Sequence, residues 1–598
     1  MKIRRFGQRE WRVGDAGTGP SSENLGAAEL ESLRNATGLT DLTLRVCWSR
    51  GLRTPESIRA HLTPRLEALT TPFSMAGMEE ASSRLVQART AGERVRVYGD
   101  YDVDGTCGAA LLSWVFRELG FKFDAVQPDR FKDGYGLNVG AVEKASADGV
   151  RVLVTVDCGI TSFDPAAKAK ELGVDLIVLD HHQLDPVRGL PPATAVVNPQ
   201  RPDDTSGLKQ LCGCGVAFYL SMALRAKGRE AGWFTGEGAI PEPRLKNHLD
   251  LVVMATAADQ VPLTGDNRVL VHHGLEVLRR SSKPGVRALM EAAGVVGRSL
   301  SPGHLGFVLG PRINASGRLQ SASLALELLT TQEPSVATAR AQELERLNKE
   351  RATLQDRIWD QVRVRVEQGI AEGKFKNGVV VADREWHEGV VGIVATRVTE
   401  AFRKPAVVIA LREDLGKGSA RTWGGRDVLE AIRRSSAHLL GFGGHRHAAG
   451  LSLALDQVDA FAAAFDAAMG EIDVDLTDPP LIIEGDCDQA ELEFRAFHEL
   501  EGLGPFGPGN PEPVFRLRAG VRDRRVLKGR HLKLQLGPAG GPALDAVWFG
   551  AAEDPEVLKR FDAMAHSPIE ADWAGVPELN RFNGKVTPTF RVRDWKPL

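Results

Sequence analysis

The chain has 598 residues, enough for about four domains, and its 43% hydrophobic and 26% charged content is that of an ordinary soluble globular protein. A net charge of −3 excludes a uniformly basic nucleic-acid coat but leaves room for a basic groove on one domain. Six cysteines (Cys47, Cys107, Cys158, Cys212, Cys214 and Cys487) are too sparse for a disulfide framework and fit a reducing cytoplasm. No run of about 18 apolar residues exists to span a membrane, and no secretory leader is expected, because the basic N-terminus leads into no apolar run.

Residues 1–85 open on a polar stretch to about Asn24 and continue with helical patterning, which reads as a helical cap without visible chemistry. From 94 to 200 short apolar strands alternate with helical segments: "VRVYG", "FDAVQ", "RVLVTVD", "VDLIVLD" and "TAVVN". Between the first two, "CGAALLSWVFRELG" reads as an amphipathic helix ending at Gly120. This rhythm predicts a parallel sheet with helices on both faces, and such sheets bind ligands at the carboxyl ends of their strands. Residues 335–368 predict one long connecting helix striped by Leu344, Leu347, Leu354, Ile358 and Val362. A second αβ segment, 376–475, starts with "GVVVADR" and holds "GFGGHRHAAGL". The last segment, 480–598, alternates basic and apolar residues in short strands and suits a small barrel, with an oligonucleotide-binding barrel as a candidate. The fold class is therefore α/β, two αβ lobes joined by a long helix and followed by a β-barrel.

The stretch "VRVYGDYDVDGT" places Asp100, Asp102 and Asp104 at every second position. On an extended segment they would point the same way, about 6.6 Å apart, and each neighbouring pair would repel by roughly 2.5 kcal/mol at an effective dielectric of about 20. Water, arginines or metal ions must offset that. Asp157 follows "VLVTV", and Asp180, His181 and His182 follow "DLIVL", so three separate strand ends carry the same ligand types. Hard divalent cations take carboxylate oxygen, and imidazole adds affinity for manganese. With Asp259 of "MATAADQVPL" the set suffices for two ions about 4 Å apart, with Asp157 as the bridge. Such a pair would neutralise the repulsion, polarise a phosphoryl oxygen and generate hydroxide. A lone D-x-D is more often a solvated loop, and the pair His272–His273 lacks a preceding acid and reads as structural. Coincidence of location is what singles out the first set. Cys212 and Cys214 read as small buried thiols rather than zinc ligands.

"GDYDVDG", "VDCGI", "DHH" and "AADQVPL" resemble the successive motifs of the DHH phosphoesterase superfamily. "PDRFKDGYGLN", "GPRINASGRL", "LNKERATLQ", "WHEGVVGIVATRV", "GFGGHRHAAGLSL", "GPFGPGNPEPVF" and "GRHLKLQL" are similar, in order, to the RecJ single-stranded-DNA exonucleases. The resemblance divides the chain into a cap (1–85), a DHH catalytic domain (86–334), a connecting helix (335–370), a DHHA1 domain (371–476) and an OB-fold domain (477–598). It implies two Mn²⁺ or Mg²⁺ ions and 5′→3′ release of mononucleotides from single-stranded DNA in DNA repair and recombination, in the cytoplasm. A single-strand-binding protein and a helicase are candidate partners.

By motif, Asp100, Asp102, Asp104, Asp157, His181 and Asp259 match the family's metal ligands. Asp180 is expected to orient His181, and His182 to meet the scissile phosphate. Arg130, Tyr135, Arg312, Asn314, Arg318, Ser419 and Arg421 resemble residues that grip the DNA backbone and its 5′ phosphate, for which a guanidinium fork is suited. Gly443, Gly444 and His445 are expected on a glycine turn leading into a helix, a seat for an anion; the roles of Arg446 and His447 stay open. In the last domain Arg516, Arg518, Lys528, Arg530, His531 and Lys533 could track phosphates and Phe515, Trp548 and Phe582 could stack on bases, although Phe515 and Trp548 read better as core. The rival readings are a DHH oligoribonuclease or small-nucleotide phosphodiesterase, disfavoured by the barrel and connector, and a non-catalytic DHH-type replication scaffold, disfavoured by the complete ligand set.

Overall fold

The structure is a computed structural model that describes residues 6–7, 9–14, 25–130, 132, 134, 136–472, 480–538, 542–563, 570–582 and 584–598. It divides into two compact units: residues 56–348 with 502–512, and residues 1–55 with 349–501 and 513–598.

The first of these is built on a five-stranded parallel sheet in the order Lys122–Val126, Arg94–Gly99, Val150–Val156, Asp175–Leu179, Ala195–Val197. Each apolar run predicted from the sequence is one of these strands. The inner strands are mostly apolar because both faces are covered, while the partly buried edge strand carries Asp124, which pairs with Arg94 and Arg96 of its neighbour. Val95, Val97, Val154, Val156, Ile177 and Leu179 enter one core, while Tyr98, Leu153, Leu176 and Val178 enter the other, the period-two alternation of a strand. The helices Val103–Glu118, Gly213–Glu230 and Leu249–Ala258 share the first core.

The three alternating acids do not lie on one extended segment. Asp100 follows the end of its strand, Asp102 is the N-cap of the Val103–Glu118 helix, and Asp104 sits in its first turn. The Asp102 carboxylate accepts from the Asp104 and Gly105 amides at 2.9 and 3.1 Å, the bonding that makes aspartate a preferred cap. The turn is tight: a Cβ on Gly105 would fall 2.4 Å from the Asp100 amide nitrogen.

The chain leaves this unit within a single helix, Pro334–Ala371. The second unit holds a mixed five-stranded sheet in the order Gly441–His445, Ala448–Ala454, Leu415–Arg421, Ala406–Leu411, Val379–Asp383, in which only the last two strands run parallel. It also holds a five-stranded barrel, Phe515–Leu527, His531–Leu536, Leu544–Trp548, Lys585–Pro597 and Glu570–Phe582, which closes where Phe515–Leu527 pairs with Glu570–Phe582; Gly485–Cys487 adds a sixth strand alongside Phe515–Leu527. Phe515, Trp548 and Trp573 are fully buried inside it and Trp595 nearly so.

A strand missed in the sequence, Trp11–Val13, pairs in parallel with Leu481–Ile483. The Phe6 ring meets Trp548 edge-on at 4.8 Å. The Gly7 amide and the Trp11 indole N–H donate to the Asp594 carboxylate at 2.6 and 2.8 Å. Among the described residues no helix is long and apolar enough to cross a membrane.

Candidate metal centre and phosphate-binding groups

Four chain segments converge at the carboxyl end of the parallel sheet. The strand-to-helix turn after Arg94–Gly99 supplies Asp100, Asp102 and Asp104. The neighbouring strand ends supply Asp157 and Asp180–His182, and the C-cap of the Leu249–Ala258 helix supplies Asp259. Their donor atoms form three overlapping sets, Asp100–Asp102–Asp157, Asp104–His181–Asp259 and Asp157–His181–His182, each with its atoms within 4.8 Å of one another. His181 Nε2 lies 3.1 Å from Asp157 Oδ1, 3.7 Å from Asp104 Oδ2 and 3.8 Å from Asp259 Oδ2. Asp157 belongs to two of the sets and has a left-handed backbone, φ 63°, an uncommon conformation for a non-glycine residue that occurs often at functional sites.

Glycines make this convergence possible. A Cβ on Gly213 would fall 2.7 Å from Asp157 Cβ and 2.9 Å from its Cα. The close approach lets the Gly213 and Cys214 amides, at the N-terminus of the Gly213–Glu230 helix, donate to the two Asp104 oxygens at 2.6 and 2.8 Å. Sequence reasoning missed Gly213; the small-residue run "CGCGVA" was the available signal.

The electrostatics fit divalent cations. Asp100, Asp104 and Asp157 are each about 2% exposed. Burial, then the Asp102 charge, pushes the Asp100 carboxyl well above the usual range, and burial followed by the Asp104 charge does the same to Asp157. Asp259 is pushed up to about 8 by burial and by Asp104 and Asp102. Among the described residues no lysine or arginine pairs with Asp100, Asp102, Asp104 or Asp259, and Asp100 Oδ1 is buried without a hydrogen-bond partner. Burial lowers the His181 imidazole toward its neutral, metal-ligating form. Oxygen-rich donors with one imidazole suit Mn²⁺ or Mg²⁺.

Asp180 does not orient the His181 ring as expected. Its Oδ1 bonds His182 Nδ1 at 2.8 Å and takes the His181 and His182 amides at 2.8 and 3.1 Å, while Oδ2 takes the Ile160 amide at 3.0 Å. The strand ends at Leu179, and the turn that brings the His181 and His182 amides onto Asp180 also brings the His182 ring to the same carboxylate. Burial opposes the charged form of His182, but the Asp180 bond and charge raise it to about 9. The Asp180 carboxylate is held below its usual range against its own burial.

Of the candidate phosphate-binding residues in this unit, Arg130 stands beside the cluster. Its guanidinium lies over the Tyr101 ring, 5.2 Å from the centroid, and its charge acts on Asp100. Arg318 is carried by the Gly310–Leu319 helix, which packs on the same turn: a Cβ on Gly317 would fall 3.2 Å from the Tyr101 carbonyl oxygen. Asn314 lies on the same helix, half-buried. Arg312 is engaged otherwise, with Nε on Glu345 at 2.7 Å and Nη1 on the Val308 carbonyl at 2.6 Å. Tyr135 lies outside the described residues. The pair His272–His273 is helical, and His273 Nε2 contacts the Pro64 carbonyl at 3.1 Å.

In the second unit the expected glycine turn into a helix is instead a β-hairpin. Gly441–His445 pairs antiparallel with Ala448–Ala454, with Arg446 and His447 at the turn. The reason is period two: Ala449, Leu451 and Leu453 are buried while Gly450 and Ser452 are not. Gly443 is in register with Gly450 and through it with Ser419, and His445 likewise with Ala448 and Arg421. Four of the expected residues thus occupy two rows of one sheet, separated by the row Ala420–Ala449–Gly444. Gly444 has φ 141° and no room for a side chain, a Cβ falling 2.4 Å from the Ala448 carbonyl oxygen. Arg446 donates to the Gly425 carbonyl at 2.8 Å.

On the barrel, several basic candidates already hold acids: Arg516 with Asp486, Arg518 with Asp572, Arg530 with Glu553 and Lys533 with Asp545. His531 Nδ1 accepts from the Gly550 amide at 3.0 Å. Phe515 and Trp548 are core rather than stacking surfaces; the Phe582 side chain lies outside the described residues.

A parallel sheet with this acid and histidine cluster at its carboxyl end, on one chain with a second mixed sheet and a barrel, defines a DHH-type phosphoesterase architecture. Family models match accordingly: the N-terminal domain of the DHH family at residues 94–256, the DHHA1 domain at 376–471 and the RecJ OB domain at 483–594. The chain is 35% identical over 570 residues to the single-stranded-DNA-specific exonuclease RecJ of Dickeya dadantii, covering 94% of this chain and 96% of that one. It is 37% identical over 522 residues to the Escherichia coli enzyme of the same name, covering 86% and 89%. The crystal structure of Thermus thermophilus RecJ in complex with Mn²⁺ superposes with a TM-score of 0.79 at 31% identity, covering 98% of this chain and 79% of that one. The corresponding Mg²⁺ complex gives 0.73 at 30% identity, covering 98% and 78%. The chain belongs to the RecJ family of single-stranded-DNA-specific exonucleases.

Proposed function

We propose that the protein is a metal-dependent exonuclease that degrades single-stranded DNA from the 5′ end to mononucleotides, in DNA repair and recombination in the cytoplasm. The observation that carries this reading is the set of three overlapping donor groups, two of which share Asp157, with no lysine or arginine paired to Asp100, Asp102, Asp104 or Asp259 among the described residues. Asp100, Asp102 and Asp157 would hold one Mn²⁺ or Mg²⁺, and Asp104, His181 and Asp259 the other, with Asp157 between them. When bound, such a pair supplies Lewis-acid stabilisation of the charge that develops on the phosphoryl oxygens and activates water.

The chain's own groups do the rest. Asp180 orients the His182 ring through Nδ1, and Nε2 would donate to a phosphate oxygen or to the departing O3′. The half-buried Arg130 offers its fork to a phosphate beside Asp100. In the second unit, the rows Ser419–Gly450–Gly443 and Arg421–Ala448–His445 would take the strand's backbone. A single-strand-binding protein and a helicase are the partners proposed from the family resemblance.

Single strands and duplexes labelled at the 5′ or 3′ end, incubated with Mn²⁺, Mg²⁺ or EDTA, test the reading. Early release of 5′-labelled mononucleotide from single strands alone, abolished by EDTA, is the expected result. Early release from the 3′ end, or equal attack on duplex, would overturn it.

A further inference from the structure

Tyr101 lies between two metal-ligand candidates in sequence, yet it is no ligand itself. Its ring lies under the Arg130 guanidinium, 5.2 Å from centroid to carbon. Arg318 also acts on the phenol electrostatically, and the Gly317 α-carbon abuts the Tyr101 backbone and Cβ, a methyl there falling 3.2 and 3.7 Å away. One aromatic side chain therefore carries a guanidinium on its face at the edge of the carboxylate cluster. The contrast with the other arginines is informative. Arg312 holds Glu345 at 2.7 Å, and Arg96 holds Asp124 and Asp148 at 2.6 and 2.9 Å. Arg130 forms no ion pair among the described residues. A half-buried guanidinium without an acid partner needs something else to fix it, and an aromatic face does so without consuming its in-plane N–H donors.

We propose that Tyr101 is a positioning residue that holds Arg130 by cation–π stacking, so that the guanidinium edge stays aimed at an incoming phosphate next to Asp100. The inference rests on the exonuclease reading for its substrate, but its core is a statement about binding. The ring, and not the hydroxyl, is the working part.

The test compares Tyr101→Phe, Tyr101→Leu, Arg130→Ala and the double variant Tyr101→Leu/Arg130→Ala in the full chain. Three quantities are read: anisotropy of a fluorescent 5′-phosphorylated oligothymidine strand in EDTA, kcat and KM on the same strand with Mn²⁺, and Mn²⁺ affinity by calorimetry. Tyr101→Leu is expected to weaken strand binding and raise KM by roughly three- to thirtyfold, the range of a desolvated cation–π contact, with Mn²⁺ affinity unchanged. Tyr101→Phe keeps the wild-type values. Adding Tyr101→Leu to Arg130→Ala has no further effect. Unchanged binding in Tyr101→Leu, an equal loss in Tyr101→Phe, or additive losses in the double variant would each overturn the proposal. Wild-type protein that binds the strand but does not cleave it would refute the exonuclease reading while leaving the binding cycle to decide the role of Tyr101.

Discussion

Gly213 and Asp157 are in backbone contact: no carbon can be added to the first without displacing the second, because a methyl on Gly213 would come within 2.7 Å of Asp157 Cβ. Gly213→Ala should therefore disturb the metal centre without removing any ligand. The expected result is a fall in hydrolysis of about a hundredfold, the cost typical of a displacement near 1 Å at a reacting centre, together with weaker Mn²⁺ binding by calorimetry. Wild-type turnover in that variant would mean that Asp157 tolerates displacement.

Asp157 itself separates stability from function. Asparagine tolerates the left-handed backbone that the position requires and removes a charge that Asp104, Asp102 and Asp100 oppose. After EDTA treatment at about pH 8, Asp157→Asn is expected to melt above wild type, while Mn²⁺-dependent hydrolysis is lost. Differential scanning calorimetry and the labelled-strand assay give the two halves of the comparison.

The same repulsion makes the metal-stripped protein sensitive to pH. Folded Asp259 keeps its proton up to about 8, whereas an unfolded aspartate releases it near about 3.9. Between those values the folded chain binds more protons than the unfolded one, so stability falls as pH rises. His182 acts in the same direction: raised to about 9, it contributes fully below about 6.5 and loses that contribution as pH rises through 9. Thermal midpoints in EDTA should decline steadily from about pH 5 to about pH 8.5. Saturating Mn²⁺ should flatten the profile, and an EDTA profile that rises over this window would contradict the assignment.

Away from the site, Lys283 and Asp250 form a fully buried ion pair at 2.8 Å, to which Ser281 and the Asn247 carbonyl add bonds at 2.6 Å each. Lys283→Met leaves the Asp250 charge uncompensated and should cost about 3–5 kcal/mol in denaturant titration. Lys283→Met/Asp250→Leu should cost less than the single change, because a buried pair replaced whole strands no charge.

Much of the candidate site was legible because its parts are local. Strand ends are marked by apolar runs, and the acids and histidines follow them directly. What failed was geometry that needs a partner. The spacing of Asp100, Asp102 and Asp104 suggested a straight strand, but Asp102 caps a helix and bends the segment. The partner of Asp180 is His182 because the chain turns on the Asp180 carboxylate just past the strand end, a local turn that aspartate favours. The hairpin at Gly441–Ala454 was within reach through the alternation of Ala449, Leu451 and Leu453. Trp11–Val13 was not, because three residues become a strand only beside Leu481–Ile483. The approach of Gly213 to Asp157 depends on how helix and sheet pack; the small-residue run around it marks room for a close approach but not the partner.

The anchoring of Gly7 and Trp11 on Asp594, with Phe6 against Trp548, spans up to 587 positions. At a ribosomal pace of 5–20 residues per second, the early segment would wait about half a minute to two minutes for its counterpart to be made. Until then the Gly7 and Trp11 N–H groups lack their native acceptor, so this anchoring is a late event whatever the order in which the remaining parts mature.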